Sequence, residues 1–210
     1  NTALLKTSIE VQGDHGRFEI KLYDASNQLL SQSSGSSTDT LALSLQEPRL
    51  WSAEDPYLYR LLISFAGRVA CQKVGIRQVK RQGPNFVVNG QPIVFYGVNR
   101  HEHHHLYGRA VPHDSLKADL VLMKQNNINA IRTSHQPNDP RFYDLCDELG
   151  FYIIAEADLE CHGFDLSEPS LVQETSPNRS AKWTTDNPEW LHAYLDRAIQ
   201  LVERFKNHSC

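Results

Sequence analysis

The hydrophobic pattern of this sequence changes near Lys80, and the change limits the folds open to the chain. Before it, short apolar stretches alternate with polar residues, as at Phe18, Ile20 and Leu22. Short alternating strands separated by polar turns are typical of a β-sandwich, which we predict for residues 1–80. We expect strands at 7–11, 18–23, 41–45, 57–65 and 69–79, and a surface loop at 31–39.

After Lys80, strands and helices alternate. Asn89-Gly90 predicts a hairpin between residues 86–88 and 92–96, because a type I′ turn needs positive φ at both central residues. Repeated β–α units predict a parallel sheet. Its strands are expected at 93–98, 128–133 and 151–155, and its helices at 115–127, at 139–149 and from 187 onward.

Local signals set the expected helix ends. Asp114 or Ser115 is expected to cap the first helix, whose apolar face carries Leu116, Leu120 and Met123. Pro140 in the first turn and Gly150 after the last turn bound the second helix. The third helix carries one apolar stripe, formed by Leu191, Leu195, Ala198, Val202 and Phe205.

Three β–α units are too few for a closed eight-stranded barrel, which takes about 250 residues. An open doubly wound sheet would also need more strands. We therefore expect residues 81–210 to be a second domain that is cut short. The start at Asn1 without an initiator Met, and the end at Cys210 soon after a predicted helix, also suggest a partial sequence.

Composition places the chain among ordinary globular proteins, with 40% hydrophobic and 22% charged residues in 210. No apolar run approaches the roughly 18–20 residues of a membrane span, so no membrane association is expected. The net charge of −4 excludes a strongly basic nucleic-acid-binding protein. Residues 81–210 hold nine of the ten histidines and are the acidic part of the chain.

The cysteines predict a reducing compartment. None of the four lies in CxxC spacing, so neither a zinc ribbon nor a thioredoxin-like motif is indicated. We expect four free thiols rather than two disulfides. Together with the absence of a visible signal peptide, this favours a cytoplasmic location.

Polar residues follow each of the three predicted parallel strands. His101 and Glu102 follow the first, Arg132 and His135 the second, and Glu160 with His162 the third. The carboxyl ends of parallel strands lie at one edge of a sheet, where α/β enzymes place their sites. These residues are therefore expected to converge on one candidate active site.

Each candidate has a plainer alternative. The histidines at 101–105 are either a metal cluster or a polar loop, and we expect only the two residues nearest the strand, His101 and Glu102, to face the site. His135 is either a substrate ligand or structural, and Arg132 touches substrate or pairs with a buried carboxylate. Glu160 and His162 share one side of an extended segment, so they hold either Mg²⁺ or an ion-pair network.

Other polar and aromatic residues are assigned by position. Cys161 points to the side opposite Glu160 and His162, and is not expected to act as a nucleophile. Asp144, Asp147 and Glu148 are expected on the solvated face of the second helix. Trp51 is expected in the core, and Trp183 or Trp190 could line a sugar site.

Several motifs together resemble the large microbial β-galactosidases of glycoside hydrolase family 2. They are Gly97–His105, Met123–Asn127, Ser134-His135, Leu145–Asp147 and Glu160–Gly163, with Leu50–Tyr59 and Val74–Arg77 upstream. The resemblance implies an immunoglobulin-like β-sandwich followed by the first three β/α units of a TIM (β/α)8 barrel. It also implies a retaining hydrolase that releases terminal β-D-galactose from β-galactosides such as lactose.

The resemblance assigns roles to matching residues. His101 and His135 match the two histidines that stabilise the transition state, and Glu160 and His162 match ligands of the active-site Mg²⁺. Glu102 and Arg132 are expected to bind substrate. The intact enzyme is expected to be a homo-oligomer that also uses Na⁺. The acid/base and nucleophilic glutamates of the family would follow Cys210, so this chain alone is expected to be inactive.

Two departures from the family pattern are visible: Ser209 stands where Pro is usual, and Cys161 where Thr is usual. Three alternatives stay open. One is a β-glucuronidase or β-mannosidase of the same family, the second is a noncatalytic carbohydrate-binding module, and the third is a zinc metallohydrolase built on the histidines at 101–105.

Overall fold

The computed structural model describes residues 1–13, 15–160 and 184–210, and its first part is a sandwich of two antiparallel sheets. The larger sheet has the strand order β3-β2-β5-β6, and β1 pairs with β4 in the smaller one. The strands are β1 (Thr2–Thr7), β2 (Arg17–Tyr23), β3 (Leu29–Ser36), β4 (Leu41–Gln46), β5 (Tyr59–Phe65) and β6 (Arg68–Val74).

The sandwich core follows from the alternation seen in the sequence. Strand β2 buries Phe18, Ile20 and Leu22, each at most 1% exposed, and turns the residues between them outward. Leu41, Leu43, Tyr59 and Leu61 complete the cluster from β4 and β5. Because side chains alternate across a strand, the apolar face of each strand reaches the core.

Two predictions for this part were wrong. Residues 29–36 form the edge strand β3, although much of this stretch was expected to be a loop. An edge strand bonds to one neighbour only, so its backbone pairs with β2 while its polar side chains are exposed or only partly buried. The first strand is Thr2–Thr7 rather than 7–11, because its pairing with β4 sets its position.

The hairpin at Asn89-Gly90 is confirmed. It joins β8 (Asn85–Val88) to β9 (Gln91–Pro92), and both turn residues have positive φ, 52° and 83°. Strand β7 (Val79–Gln82) pairs with β8 on the other side. Residues 93–96, expected to begin the first parallel strand, are instead an irregular connection with exposed Val94 and Tyr96.

A three-stranded parallel sheet follows, in the order β10-β11-β12. It is built from β10 (Gly97–Arg100), α1 (His113–Gln125), β11 (Ala130–Thr133), α2 (Pro140–Leu149), β12 (Tyr152–Ile154), a 3-10 turn at Pro188–Trp190 and α3 (Leu191–Phe205). The helices α1 and α2 pack on the sheet through Leu116, Leu120, Ile131, Phe142 and Phe151. Within the described residues the sheet does not close into a barrel.

The start of α2 was predicted correctly, whereas the start of α1 was not. Helix α2 begins as expected, with the Asp139 carboxylate accepting a hydrogen bond from the Arg141 N–H at 2.9 Å, and it ends at Gly150 with φ of 79°. Helix α1 begins two residues early, after Pro112, and no side chain caps it. The predicted caps Asp114 and Ser115 lie inside the helix, because Pro112 already has the extended conformation of a cap residue.

The apolar stripe of α3 is largely exposed. Leu191, Leu195 and Val202 are 56%, 49% and 57% exposed, and Ile199 beside them is 56% exposed. Of the predicted stripe, Phe205 packs best, stacking on Tyr143 at 3.9 Å between ring centroids. The amphipathic pattern is therefore real, but its apolar side faces away from the described core.

Trp51 joins the sandwich to the parallel sheet. Its side chain is fully buried, and its indole N–H donates to the backbone carbonyl of Asp147 at 2.9 Å. Its ring meets Tyr152 edge-on at 5.8 Å, and Lys124 donates to the carbonyl of Ala53 nearby. The core position expected for Trp51 is confirmed, on the segment that leaves the sandwich.

Cys71, Cys146 and Cys210 are free thiols, as expected, and Cys161 lies outside the described residues. Across the described ranges, no helix combines the length and the apolar character needed to cross a bilayer.

Candidate active site

The predicted site residues that the structure describes gather at the carboxyl edge of the parallel sheet. His101 follows β10, His135 follows β11, and Glu160 follows β12. Glu156, which was not predicted, lies between β12 and Glu160. The register places Asn99 beside Arg132, so the loops after neighbouring strands leave the sheet side by side. Parallel pairing therefore brings residues more than fifty positions apart to one surface.

His135 lies at the centre of this group. Its Nδ1 is 3.2 Å from Glu156 Oε2 and 3.1 Å from Glu160 Oε1. The Arg132 guanidinium also approaches this nitrogen, with Nη2 at 3.1 Å, so Nδ1 faces two carboxylates and a cation, and the tautomer of the ring decides which of them it bonds. These contacts all involve Nδ1, and Nε2 is the ring atom that a ligand hydroxyl would meet.

Arg132 pairs with a carboxylate, one of the two roles considered for it. Its guanidinium hydrogen-bonds to Glu156, and a second nitrogen lies 3.3 Å from Asn99 Oδ1. Desolvation of Glu156 opposes its ionisation, but the bonds from Arg132 and His135 outweigh it and hold the pKa of that carboxyl below its usual value. The Glu156 carboxylate is thus a negative charge between the Arg132 guanidinium and the His135 imidazole.

Sequence reasoning missed Glu156. It is the first polar residue after β12, from which only Ala155 separates it. His135 stands in the same position after β11. The strand-end rule that selected the others would have found it.

His101 faces His135. The two rings meet edge to face, with 5.2 Å between their centroids, and His101 is exposed to solvent. Two imidazoles side by side at an open edge can hold neighbouring hydroxyl groups of one ligand. The sequence placed both residues at this edge, and their binding of a substrate stays a prediction.

Glu102 binds the start of α2. Both carboxylate oxygens accept a hydrogen bond from the Asp139 N–H, at 2.9 and 3.1 Å. Desolvation raises the pKa of Glu102, which the nearby Arg100 opposes. The contacts of Glu102 are therefore protein contacts in this structure, and its expected contact with substrate stays a prediction.

The remaining histidines of the 101–105 segment do not converge on one point. His104 stacks on Tyr107 at 5.0 Å and forms a small bridge with Gly108, while its Nδ1 accepts the Leu106 N–H. His105 packs against His104 at 4.4 Å between ring centroids. In the described part of the chain these rings form no metal-ligand group, so a polar loop describes the segment better.

Glu160 is suited to a hard cation. Its carboxylate is 42% exposed and lies at the same edge as Glu156, so an ion and its waters can reach it. The other expected ligand, His162, and its neighbour Cys161 lie outside the described residues. A carboxylate suits Mg²⁺ by its chemistry, and the further ligands would have to come from other segments.

A cavity of about 170 Å³ adjoins Glu160. Trp190 and Tyr194 line it together with Asp158 and Arg197, which form an ion pair at 3.1 Å. Trp190 is 37% exposed, so part of its ring is open to this space. Of the two tryptophans considered for a sugar site, Trp190 thus lies beside the candidate site, and Trp183 is outside the described residues.

One expectation on α2 was wrong. Asp147, placed on the solvated face with Asp144 and Glu148, is 2% exposed and hydrogen-bonds to His208, Ser209 and Cys210. The helical pattern could not predict the burial of Asp147, because its partners lie about sixty residues further along the chain. Asp144 is exposed, as expected.

The two parts of the chain match models of the same protein family. Residues 1–77 match the model described as glycosyl hydrolases family 2, and residues 79–210 match the TIM barrel domain of glycosyl hydrolases family 2. Among curated proteins, β-galactosidases of Kluyveromyces lactis and Vibrio cholerae are 40% and 37% identical to the chain, over 98% and 93% of its length. A β-galactosidase of Arthrobacter sp. is 44% identical over 83%.

The chain spans only 24%, 20% and 16% of the length of these three relatives. Among solved structures, a β-D-glucuronidase of Dictyoglomus thermophilum superposes with a TM-score of 0.82 at 27% identity, covering all of this chain and 34% of that one. An apo β-glucuronidase of Ruminococcus gnavus gives 0.81 at 27% identity, covering 99% of this chain and 34% of that one.

Proposed function

This chain belongs to glycoside hydrolase family 2, and from that membership we propose that it supplies the sugar-binding and cation-binding side of a β-galactosidase active site. The observation that carries the proposal is the grouping of His101, His135 and Glu160 at one sheet edge, with 5.2 Å between the two rings and 3.1 Å from His135 Nδ1 to Glu160. The β-galactosidase names of the curated relatives support the choice of sugar.

In the proposed reaction, a retaining hydrolase cleaves a terminal galactoside in two displacements at the anomeric carbon. Such an enzyme needs two carboxyl groups about 5–5.5 Å apart, one as nucleophile and one as acid/base. We assign both to sequence outside this chain, in keeping with the small share of each relative that the chain covers. This chain would then contribute binding and orientation.

His135 would act through Nε2. Its Nδ1 is surrounded by Glu156, Glu160 and Arg132, which leaves Nε2 as the ring atom that would meet a sugar hydroxyl. Such a bond assists catalysis if it strengthens as positive charge develops on the sugar ring. His101 would hold a second hydroxyl beside it, and Arg132 would keep Glu156 ionised and in place.

Mg²⁺ would be held by Glu160 and His162, with waters completing its shell. When bound, it would supply positive charge that orients and tunes a neighbouring acid/base carboxyl. The accessible carboxylate of Glu160 is the described feature that supports this assignment.

The test of the substrate uses the longer protein that carries this chain. We expect it to hydrolyse nitrophenyl β-D-galactoside with a kcat/KM at least 100-fold above that for nitrophenyl β-D-glucuronide. His135→Asn should lower kcat for the galactoside by about 10²-fold or more, since it removes a contact made most strongly in the transition state. Equal rates on all glycosides, or an unaffected His135→Asn variant, would refute the proposal.

A β-glucuronidase is the second candidate, favoured by the solved structures that superpose on the chain. A glucuronide carries a carboxylate that a galactoside lacks, so a glucuronidase needs a cation in its sugar pocket. Preference for the glucuronide in the same substrate pair would select this function.

A further inference from the structure

Three metal-ligating side chains meet far from the candidate active site. Asp147, His208 and Cys210 each offer one ligand atom, and these atoms all lie within 4.8 Å of one another. Asp147 is near the end of α2, whereas the active-site edge adjoins the start of that helix at Asp139. Eight residues of helix separate the two by about 12 Å.

Asp147 is held in the position that a metal ligand needs. Its Oδ1 accepts the backbone N–H groups of Ser209 and Cys210, both at 2.7 Å. Its Oδ2 lies 2.8 Å from His208 Nδ1. One oxygen is thus fixed by the backbone, and the other points to the imidazole. Hydrogen bonds of this kind orient the carboxylates that ligate metal ions.

Cys210 brings a partly buried thiol to the same point. Its Sγ lies 3.9 Å from the Tyr143 carbonyl, and the side chain also contacts Asp147. Burial raises the pKa of this thiol well above its usual value, and the Asp147 carboxylate adds to the effect. A thiol must lose its proton to ligate a metal, so metal binding here would release that proton.

The ligand chemistry selects the ion. A thiolate, an imidazole and a carboxylate together suit a borderline-soft divalent ion such as Zn²⁺, and not Mg²⁺ or Ca²⁺, which prefer oxygen alone. We propose that Asp147 Oδ2, His208 Nδ1 and Cys210 Sγ bind one Zn²⁺, with water as the fourth ligand. This goes beyond the proposed glycosidase function and does not depend on it.

The required movements are small. Zn–N and Zn–O bonds of about 2.0–2.1 Å in a tetrahedron put their ligand atoms about 3.3 Å apart, against 2.8 Å between Asp147 and His208 here. On binding, Zn²⁺ forms bonds to Cys210 Sγ, His208 Nδ1, Asp147 Oδ2 and one water. The thiol proton leaves to solvent, and the neutral imidazole carries its one proton on Nε2, so that Nδ1 is free to ligate. The oxidation states do not change, and Oδ1 keeps its two backbone N–H groups.

Zn²⁺ would act as a structural link. It would join α2 to the segment after α3, where Ser209 also binds the stretch following β6. There the Gly75 N–H donates to Ser209 Oγ at 2.7 Å, and the Arg77 guanidinium donates to the Ser209 carbonyl. One ion would thereby fasten the sandwich, α2 and the end of α3 to one another.

The test is a titration of the metal-free chain with Co²⁺ as a spectroscopic probe for Zn²⁺. We expect one equivalent to produce a thiolate-to-cobalt charge-transfer band in the near ultraviolet, which one equivalent of Zn²⁺ abolishes. Cys210→Ser should lose the band and weaken Zn²⁺ binding at least 100-fold, and His208→Gln should weaken it by at least 10-fold. The controls Cys71→Ser and Asp144→Asn, both at exposed positions, should behave as wild type.

Circular dichroism of the Cys210→Ser variant separates lost coordination from lost folding, since the proposal requires its metal-free fold to be unchanged. Absence of the charge-transfer band in the wild-type chain would overturn the proposal. So would a band that survives Cys210→Ser and disappears in Cys161→Ser, because the metal would then lie at the Glu160–His162 segment.

Discussion

His135 Nδ1 lies against two carboxylates and against the Arg132 guanidinium, whose Nη2 is 3.1 Å away. Glu156 and Glu160 both lie within 3.2 Å of that nitrogen, while Arg132 balances Glu156 from the other side. At the scale of single residues the site is therefore a charge network. Each member controls the protonation or the orientation of the next.

Replacing Glu156 tests this network. Glu156→Gln should lower the free energy of unfolding at pH 7 by about 0.5–1 kcal/mol, because it removes a partly exposed ion pair with Arg132. The native pKa of Glu156 lies below its usual value of 4.5, so its contribution is full above that value and is lost as the pH falls through the native pKa.

Urea unfolding of wild type and variant at pH 7 and in acid measures this difference. The two curves should converge in acid, and the control Glu10→Gln, at an exposed position of the sandwich, should match wild type at both pH values. A difference that persists unchanged in acid would contradict the assignment.

Glu160→Gln is the corresponding test of the cation site. In the longer protein that carries this chain, it should weaken Mg²⁺ binding at least about 10-fold and lower kcat, since an amide is a poorer ligand for a hard cation. Calorimetric titration with Mg²⁺ gives the affinity, with the exposed Glu189→Gln as the matched control. An unchanged titration would remove Glu160 from the ligand set.

At the scale of elements, Glu102 ties the loop after β10 to the start of α2. Its carboxylate accepts the Asp139 N–H and lies 3.9 Å from the buried Arg100, of which two side-chain nitrogens have no hydrogen-bond partner. His101 precedes Glu102, and His135 lies four residues before Asp139. The same carboxylate thus sets the spacing of the two loops that carry the histidines.

Glu102→Ala should destabilise the chain by about 1–3 kcal/mol, because it leaves the Asp139 N–H unpaired and removes one of the two carboxylates near the buried Arg100, the other being Asp119 at 3.3 Å. Glu102→Gln should cost less, since an amide oxygen can still accept the Asp139 N–H. Thermal unfolding followed by circular dichroism compares both with Asp114→Ala, a fully exposed control expected within about 0.5 kcal/mol of wild type. Equal effects of all three substitutions would exclude the linking role.

Elements were predictable where their signals are local. Helix α2 follows from Asp139, Pro140 and Gly150, which satisfy its ends within a few residues. Strand β3 was missed because its polar sequence pairs only at a sheet edge, and residues 93–96 were misassigned because an apolar run alone does not fix where pairing begins. Both depend on neighbours that are distant in sequence.

The candidate site was predictable in part for the same reason. His101, His135, Arg132 and Glu160 follow from the rule that sites form at the carboxyl ends of parallel strands. The rule says which residues approach one another, and not which partner each side chain takes. Hence the pairing of Arg132 was left open, and the burial of Asp147 by residues 208–210 could not be seen.

At the scale of the whole molecule, Trp51 is the central residue of the junction between sandwich and parallel sheet. Its N–H bonds to the Asp147 carbonyl, and its ring packs on Tyr152. At Gly150, a Cβ atom would lie 2.3 Å from the Ala53 carbonyl oxygen, so the backbones of the two parts are in direct contact. The two parts should therefore unfold together.

Trp51→Phe should lower the free energy of unfolding by about 2–3 kcal/mol, through a lost hydrogen bond and a small cavity. The control Trp190→Phe, at a residue 37% exposed, should cost less than about 1 kcal/mol. Urea denaturation followed by circular dichroism gives both values, and one shared transition is expected for wild type. Separate transitions for the sandwich and the parallel sheet would contradict a coupled junction.

The apolar side of α3, which the described residues leave exposed, should affect how the chain behaves in solution. An exposed hydrophobic surface about three turns long is formed by Leu191, Leu195, Ile199 and Val202. Exposed hydrophobic surfaces of this kind promote association between protein molecules. Salting-out ions such as sulfate strengthen that tendency. The chain should therefore associate more strongly as the sulfate concentration is raised, which light scattering would measure.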